Sequence, residues 1–175
     1  RRVGQAVSLW AHSPEHAEGI RATRANQTYL PGIALPPSIN VFSNVAEAVD
    51  GAKQVLIATP SHAFAETLGR VLATQYSLEG LAWASKGFEP GTGRFLHEVA
   101  LEAVGPNLPL ALISGPSFAK EVAQGLPTAV TVASSDSSFG AAWAGLLHGP
   151  TFRAYYTGDL IGAELGGALK NVIAV

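Results

Sequence analysis

Lys170 stands in an otherwise apolar stretch, Leu165-Gly166-Gly167-Ala168-Leu169-Lys170-Asn171-Val172-Ile173-Ala174-Val175. If that stretch is helical, the residues three and four positions before the lysine are glycines, and the surface one turn back on its face is bare. Bare helix surface beside an ammonium makes room for a small molecule. A lysine so placed is partly desolvated, its pKa tends downward, and it suits general acid–base work. The alternative is helix packing through the glycines, with a lysine that snorkels to water. Two further groups have comparable potential. Lys86 directly follows the run Leu81-Ala82-Trp83-Ala84-Ser85 and precedes Gly87. Its ammonium suits a phosphate or another anionic substrate, unless it is a solvated loop lysine. Gly115-Pro116-Ser117 follows another apolar run. Gly115 lets a ligand approach the backbone, Ser117 can cap the helix behind it, and the free N–H groups there favour an anion. An ordinary strand–turn–helix with a serine cap accounts for the same residues.

Other reactive chemistries drop out. There are no cysteines, so disulfides, thiolate-bound zinc and thiol catalysis are excluded. His12, His16, His62, His97 and His148 show no paired metal-ligand spacing, and no metal is expected. His16 and His97 read as helix-surface residues. No Ser-His-Asp arrangement is legible, because Ser61 and His62 are neighbours in sequence only.

These groups must be positioned by the elements around them. Residues 6–10 form a short apolar run before the Ser13-Pro14 turn and predict a buried strand. Residues 14–28 predict a helix with Ser13 as N-cap and Pro14 at its first position. Residues 30–38 are proline-rich loop, and 45–50 a short helical turn. The continuous apolar, β-branched run 54–59 predicts a strand covered on both faces, and 63–75 an amphipathic helix. The alternation continues with strands at 80–85, 108–114, 129–133 and 152–157, and helices at 94–104, 117–124, 138–147 and from about 159. Such alternation predicts parallel strands with right-handed crossovers. The expected fold class is α/β, an open, doubly wound, mostly parallel sheet lacking its first strand. Ligands bind beyond the carboxyl ends of the strands in such sheets. That rule selects Ala11-His12-Ser13, Pro60-Ser61-His62, Ser85-Lys86-Gly87 and Ser114-Gly115-Pro116-Ser117.

Composition sets the outer limits. The chain has 175 residues, enough for one domain of the usual ~100–200. A net charge of −2 excludes a broad basic face for duplex nucleic acid. Charged residues make up 14%, below the ~25% of typical soluble domains, so a large share of the chain must be buried. No apolar run approaches the ~18 residues of a membrane helix, and no secretory signal follows Arg1-Arg2. A cytoplasmic location is expected. Arg1-Arg2-Val3-Gly4 reads as the end of a helix begun upstream, and the last helix carries no stop signal. The chain thus reads as an interior piece of a longer protein.

At these residues the chain resembles the bacterial NAD(P)-dependent glycerol-3-phosphate dehydrogenases. The stretches that carry the resemblance are Ser8-Leu9-Trp10-Ala11-His12, Tyr29-Leu30-Pro31-Gly32, Thr59-Pro60-Ser61-His62-Ala63-Phe64, Ala84-Ser85-Lys86-Gly87-Phe88-Glu89, Ile113-Ser114-Gly115-Pro116-Ser117-Phe118-Ala119-Lys120-Glu121 and Gly166-Gly167-Ala168-Leu169-Lys170-Asn171-Val172-Ile173-Ala174. They span the chain in family order and spacing. The resemblance implies a Rossmann-type dinucleotide-binding domain at 1–157, without its glycine-rich loop. It also implies that 158–175 begins the helix leading into a C-terminal helical substrate domain. It implies reduction of dihydroxyacetone phosphate to glycerol 3-phosphate with NADPH or NADH, feeding glycerophospholipid synthesis. By the family pattern Lys170 is the catalytic proton donor and acceptor. Lys86, Gly115, Ser117 and Asn171 lie at the substrate, and His12, Phe64, Lys86 and Ala119 touch the dinucleotide. Homodimerisation is left open. Two other readings compete. Dehydrogenases of 3-hydroxy acids or 6-phosphogluconate share the plan, but place an asparagine four residues after their lysine, where this chain has Ala174. A nucleotide-binding module without catalysis is the other.

An acid at the end of the second strand of such folds binds the ribose 2′-OH and repels a 2′-phosphate. Here that tip is His12-Ser13, with Arg21 and Arg24 downstream. The expectation is that NADPH is accepted and preferred.

Overall fold

The computed structural model describes residues 6–173, and side chains through Lys170. The reading of Arg1–Gly4 as a helix end lies outside the described residues, as does the side chain of Asn171.

Strand β1 (Val7–Trp10) leads into α1 (Pro14–Thr23), β2 (Ile39–Phe42), α2 (Val45–Val49) and β3 (Gln54–Ile57). A 3-10 turn opens α3 (Phe64–Leu72), and β4 (Gly80–Trp83), α4 (Leu96–Val104), β5 (Leu110–Ser114), α5 (Ala119–Gln124), β6 (Thr128–Ala133), α6 (Ser137–Leu147), β7 (Phe152–Thr157) and α7 (Leu160–Ile173) follow. The strands form two sheets. β1 and β2 pair with each other in parallel, and β3-β4-β5-β6-β7 form the larger sheet.

Period-2 alternation feeds two apolar layers. Leu81, Trp83, Leu110 and Leu112 point to one face, under Phe64, Leu68, Leu96 and Val99 of α3 and α4. Ala82, Ala111 and Ile113 point to the other, under Phe139 and Trp143 of α6. Strands buried on both faces need continuous apolar sequence, and β4 and β5 are buried at every position. β3 is not so covered: Leu56 is exposed, against the expectation of burial on both faces. A third apolar cluster joins Ala17 and Ile20 of α1 to Val41 of β2.

Three expectations need correction. The helix after Ser13 stops at Thr23, because Arg24 turns left-handed at φ 52° and sends its guanidinium to the carbonyls of Pro36 (2.6 Å) and Ile39 (3.0 Å). Strand β2 is an addition, four residues too short to stand out beyond the proline-rich loop. Strand β6 runs antiparallel to β5, with Ser114 opposite Thr131. The reason is length. α5 has six residues, about 9 Å at 1.5 Å each, too short to carry the chain back along the sheet. The chain re-enters at the edge it left. The longer α6 then makes a true crossover, and β7 is parallel to β6. Consequently β7 ends at the far edge, and α7 returns along β5 toward the carboxyl ends of β3, β4 and β5.

Candidate functional site

A cleft of about 570 Å³ lies where α7 meets the end of β5. Three segments build it. The loop after β4 supplies Lys86, the end of β5 and the turn after it supply Ser114, Gly115 and Ser117, and α7 supplies Gly166, Gly167 and Lys170. Thr131 of β6 lines it as well. Antiparallel pairing puts Thr131 directly across from Ser114 on the face that α7 covers.

The two α7 glycines do different work. A Cβ on Gly166 would meet nothing within 4 Å, whereas one on Gly167 would lie 2.8 Å from Ser114 Oγ. Gly167 thus lets the helix settle on the sheet, and Gly166 leaves space open. Gly115 adopts φ +139°, where a Cβ would come within 3.0 Å of the Ala129 carbonyl and of Val130 Cα. Only glycine turns the chain there against a neighbouring backbone.

Lys86 is half-buried, and its Nζ lies 3.5 Å from the Ala84 carbonyl. Burial, and then the positive charge of Lys170, hold its pKa below the ordinary lysine value. Lys170 was expected to be the desolvated lysine. It is exposed instead, with Nζ 5.9 Å from the centre of the Phe118 ring, a cation–π distance. Its position near the open end of the cleft, beside side-chain-free Gly166, keeps it wet.

The cleft therefore brings together Lys86, Gly115, Ser117 and Lys170. It does not include the other singled-out residues. His12 is exposed at the end of β1, and Ala119 is exposed at the start of α5. Phe64 is wholly buried, its ring 5.9 Å from that of Trp83 in the core. That ring supports the sheet and offers no surface to a dinucleotide, which leaves only its main chain to face a ligand. Ser117 does not cap α5. Phe118 holds the N-cap position, and the Ser117 hydroxyl turns back toward the Gly115 carbonyl at 3.5 Å. Ser13 does cap α1, accepting from the His16 N–H at 3.3 Å. His97 is no surface residue: it is paired with the buried Glu164. Arg21 and Arg24 are committed to local partners, the former to Glu18 and the Val41 carbonyl.

A family model described as NAD-dependent glycerol-3-phosphate dehydrogenase N-terminus matches residues 1–140. The chain belongs to that glycerol-3-phosphate dehydrogenase family. A glycerol-3-phosphate dehydrogenase [NAD(P)+] from Xanthomonas campestris pv. campestris is 51% identical over 99% of this chain and 51% of its own length. One from Stenotrophomonas maltophilia is 52% identical over the same shares. A crystal structure of glycerol-3-phosphate dehydrogenase from Coxiella burnetii superposes with a TM-score of 0.92 at 39% identity, over 99% of this chain and 53% of that one. The chain thus spans about half the length of the glycerol-3-phosphate dehydrogenases it matches.

A dinucleotide fits the residues present. The carboxyl ends of β1, β3 and β4 offer exposed His12, the Thr59 hydroxyl and Lys86. The Thr59 oxygen is buried and has no hydrogen-bond partner among the described residues. Buried orphan polar atoms are rare, so one at this edge fits a polar ligand. No described helix is long and apolar enough to cross a membrane.

Proposed function

We propose that the chain is the dinucleotide-binding half of an enzyme that reduces dihydroxyacetone phosphate to glycerol 3-phosphate. The enzyme uses NADPH or NADH, works in the cytoplasm and feeds glycerophospholipid synthesis. One observation carries this reading: two lysines, from the end of β4 and from α7, line one cleft, where burial and then the charge of Lys170 lower the pKa of Lys86. Like charges held together are relieved by an anion, which a phosphorylated ketone supplies.

In this reading the cofactor supplies the hydride. Lys170 meets the negative charge that develops on the C2 oxygen, and its ammonium delivers the proton that completes the alcohol. Lys86 holds the anionic substrate and the nearby dinucleotide, Gly115 opens the main chain to the substrate, and the Ser117 hydroxyl helps orient it. Asn171 stands beside the substrate. Residues 158–175 begin the connection to a second, helical domain. The test is steady-state oxidation of NADPH and NADH by the full-length protein with dihydroxyacetone phosphate. Absence of turnover with both cofactors overturns the reading.

Lys86→Met is expected to raise the KM for dihydroxyacetone phosphate roughly 10–100-fold, the value of one charge-assisted contact. It is expected to leave thermal stability unchanged or raised at neutral pH. The sign follows from protonation: with the folded pKa below the ordinary 10.5, the unfolded chain holds more protons in that window. Stability therefore rises as pH passes from the lowered value toward 10.5, and removing the charge captures the same gain. A large fall in melting temperature at unchanged KM would instead mark a structural lysine.

The engaged Arg21 and Arg24 leave exposed His12 as the group at the β1 tip that meets a 2′-phosphate. We expect NADPH to be accepted and preferred. His12→Glu should shift the ratio of kcat/KM values toward NADH by about tenfold, or 1.4 kcal/mol. An unchanged ratio, read at one ionic strength, contradicts this.

A further inference from the structure

Glu164 is a carboxylate with 3% of its side chain exposed, and the chemistry proposed above does not use it. Both its oxygens go to one residue. The ring Nδ1 of His97 lies 2.5 Å from Oε2, and the backbone N–H of His97 donates to Oε1 at 3.2 Å. The second contact closes a gap in α4. The first-turn N–H groups of a helix lack partners within it, and the N-cap residue here is Phe95, which has no side-chain oxygen to offer. Glu98 accepts only the N–H of Phe95 itself. The missing cap for His97 arrives from α7, 67 residues further along. An anion at that helix end is also favoured by the dipole. The Phe95 ring stacks on the His97 ring at 5.5 Å and packs against Phe88 at 5.4 Å, so the imidazole is held in one orientation. A carboxylate removed from water requires such donors, which makes the geometry at Glu164 demanding.

The middle of α7 lies close on the sheet but offers few side chains to lock its rotation. Its sheet-facing and cleft-facing surfaces around the middle are Gly162, Ala163, Gly166 and Gly167, without long side chains to interlock with neighbours. Glu164 and Lys170 are the only charged residues between 160 and 175. We infer that Glu164, anchored on His97, is a positioning residue that fixes the rotation and height of α7 and thereby the place of Lys170 in the cleft. This rests on the reading of Lys170 as proton donor. The lever is steep. A side-chain tip lies about 5–6 Å from the helix axis, so a rotation of about 10° moves it by about 1 Å, and a misplacement of about 1 Å costs on the order of 100-fold in rate.

The experiment uses the full-length protein with Glu164→Ala, Glu164→Asp and Glu164→Gln. It reads kcat and KM with dihydroxyacetone phosphate, the melting temperature, and the titration of Lys86 by side-chain NMR. The last readout does not need turnover, because Lys86 senses the charge of Lys170. In Glu164→Ala, assayed well below its melting temperature, kcat should fall by about 100-fold at a little-changed KM. The Lys86 midpoint should rise toward the ordinary value as Lys170 recedes. Glu164→Asp keeps the charge but shortens the arm. It should show the same two changes to a smaller degree, and it carries the test if the alanine variant does not fold. Glu164→Gln keeps an oxygen for the His97 N–H and should recover most of the rate. A folded Glu164→Ala or Glu164→Asp variant with kcat within twofold of the parent, or with an unchanged Lys86 titration, overturns the inference whatever its melting temperature. A parent protein without turnover overturns the functional reading instead, and the Lys86 titration then still decides whether Glu164 positions α7.

Discussion

Lys170→Ala in the full-length protein should lower kcat by about 10³-fold, within the 10²–10⁴ that a positioned acid or base contributes, while cofactor affinity stays within a fewfold. The residue is exposed, and surface changes of that kind move stability by no more than about 0.5 kcal/mol. A loss of turnover therefore cannot be charged to unfolding. Lys86 lines the same cleft from the end of β4, where the proposed mechanism has it hold the anionic substrate. The open space beside Gly166 gives a small primary amine room to enter, so ethylammonium should restore part of the rate in this variant. The measurements are kcat at saturating dihydroxyacetone phosphate and the change in NADPH fluorescence on binding. Near-normal turnover would remove Lys170 from the reaction.

The second large effect is on stability. Gly115→Ala must place a side chain at φ +139°, within 3.0 Å of two backbone atoms of the neighbouring strand. Strained backbone of this kind costs on the order of 1–3 kcal/mol, and overpacking adds a similar amount. A total of about 3 kcal/mol corresponds to a melting temperature lower by roughly 6–12 °C in a chain of this size. The relief available is to part β6 from β5 at the cleft, so KM should rise as well. Gly166→Ala is the control. Nothing stands within 4 Å of its added methyl, and alanine is favoured over glycine in a helix by about 1 kcal/mol. It should hold or raise the melting temperature. Equal melting temperatures for the two variants would contradict the close approach of Gly115 to β6.

What could be read from the residues alone divides along local and non-local lines. Strand ends are local features: an apolar run followed by Ser-Lys-Gly or Ser-Gly-Pro announces itself, and Lys86 and Gly115 do lie at such ends, on one cleft with Lys170. The direction of β6 is not local. It depends on α5 being too short to span the sheet, and helix boundaries are the least legible part of a sequence. With β6 read as parallel, Thr131 could not be placed across from Ser114. His97 and Glu164 are hidden for a related reason. Each is an unremarkable polar residue on its own helix, and their pairing over 67 positions leaves no periodic trace. Phe64 shows another limit: its motif neighbours follow the end of β3, while its own ring fills the core against Trp83.

The separation of β1 and β2 from the five-stranded sheet bears on what the proposed cofactor does. No hydrogen-bond ladder joins the two sheets among the described residues, and the smaller one closes over its own apolar cluster around Ala17, Ile20 and Val41. The β1–α1–β2 unit meets the larger one through side chains, with the Arg70 guanidinium 5.9 Å from the centre of the Trp10 ring and α2 against α3. The proposed dinucleotide would reach from His12 in the first unit to Lys86 in the second. A ligand that touches both units stabilises their joint state by mass action, so the cofactor would act as a clasp between them.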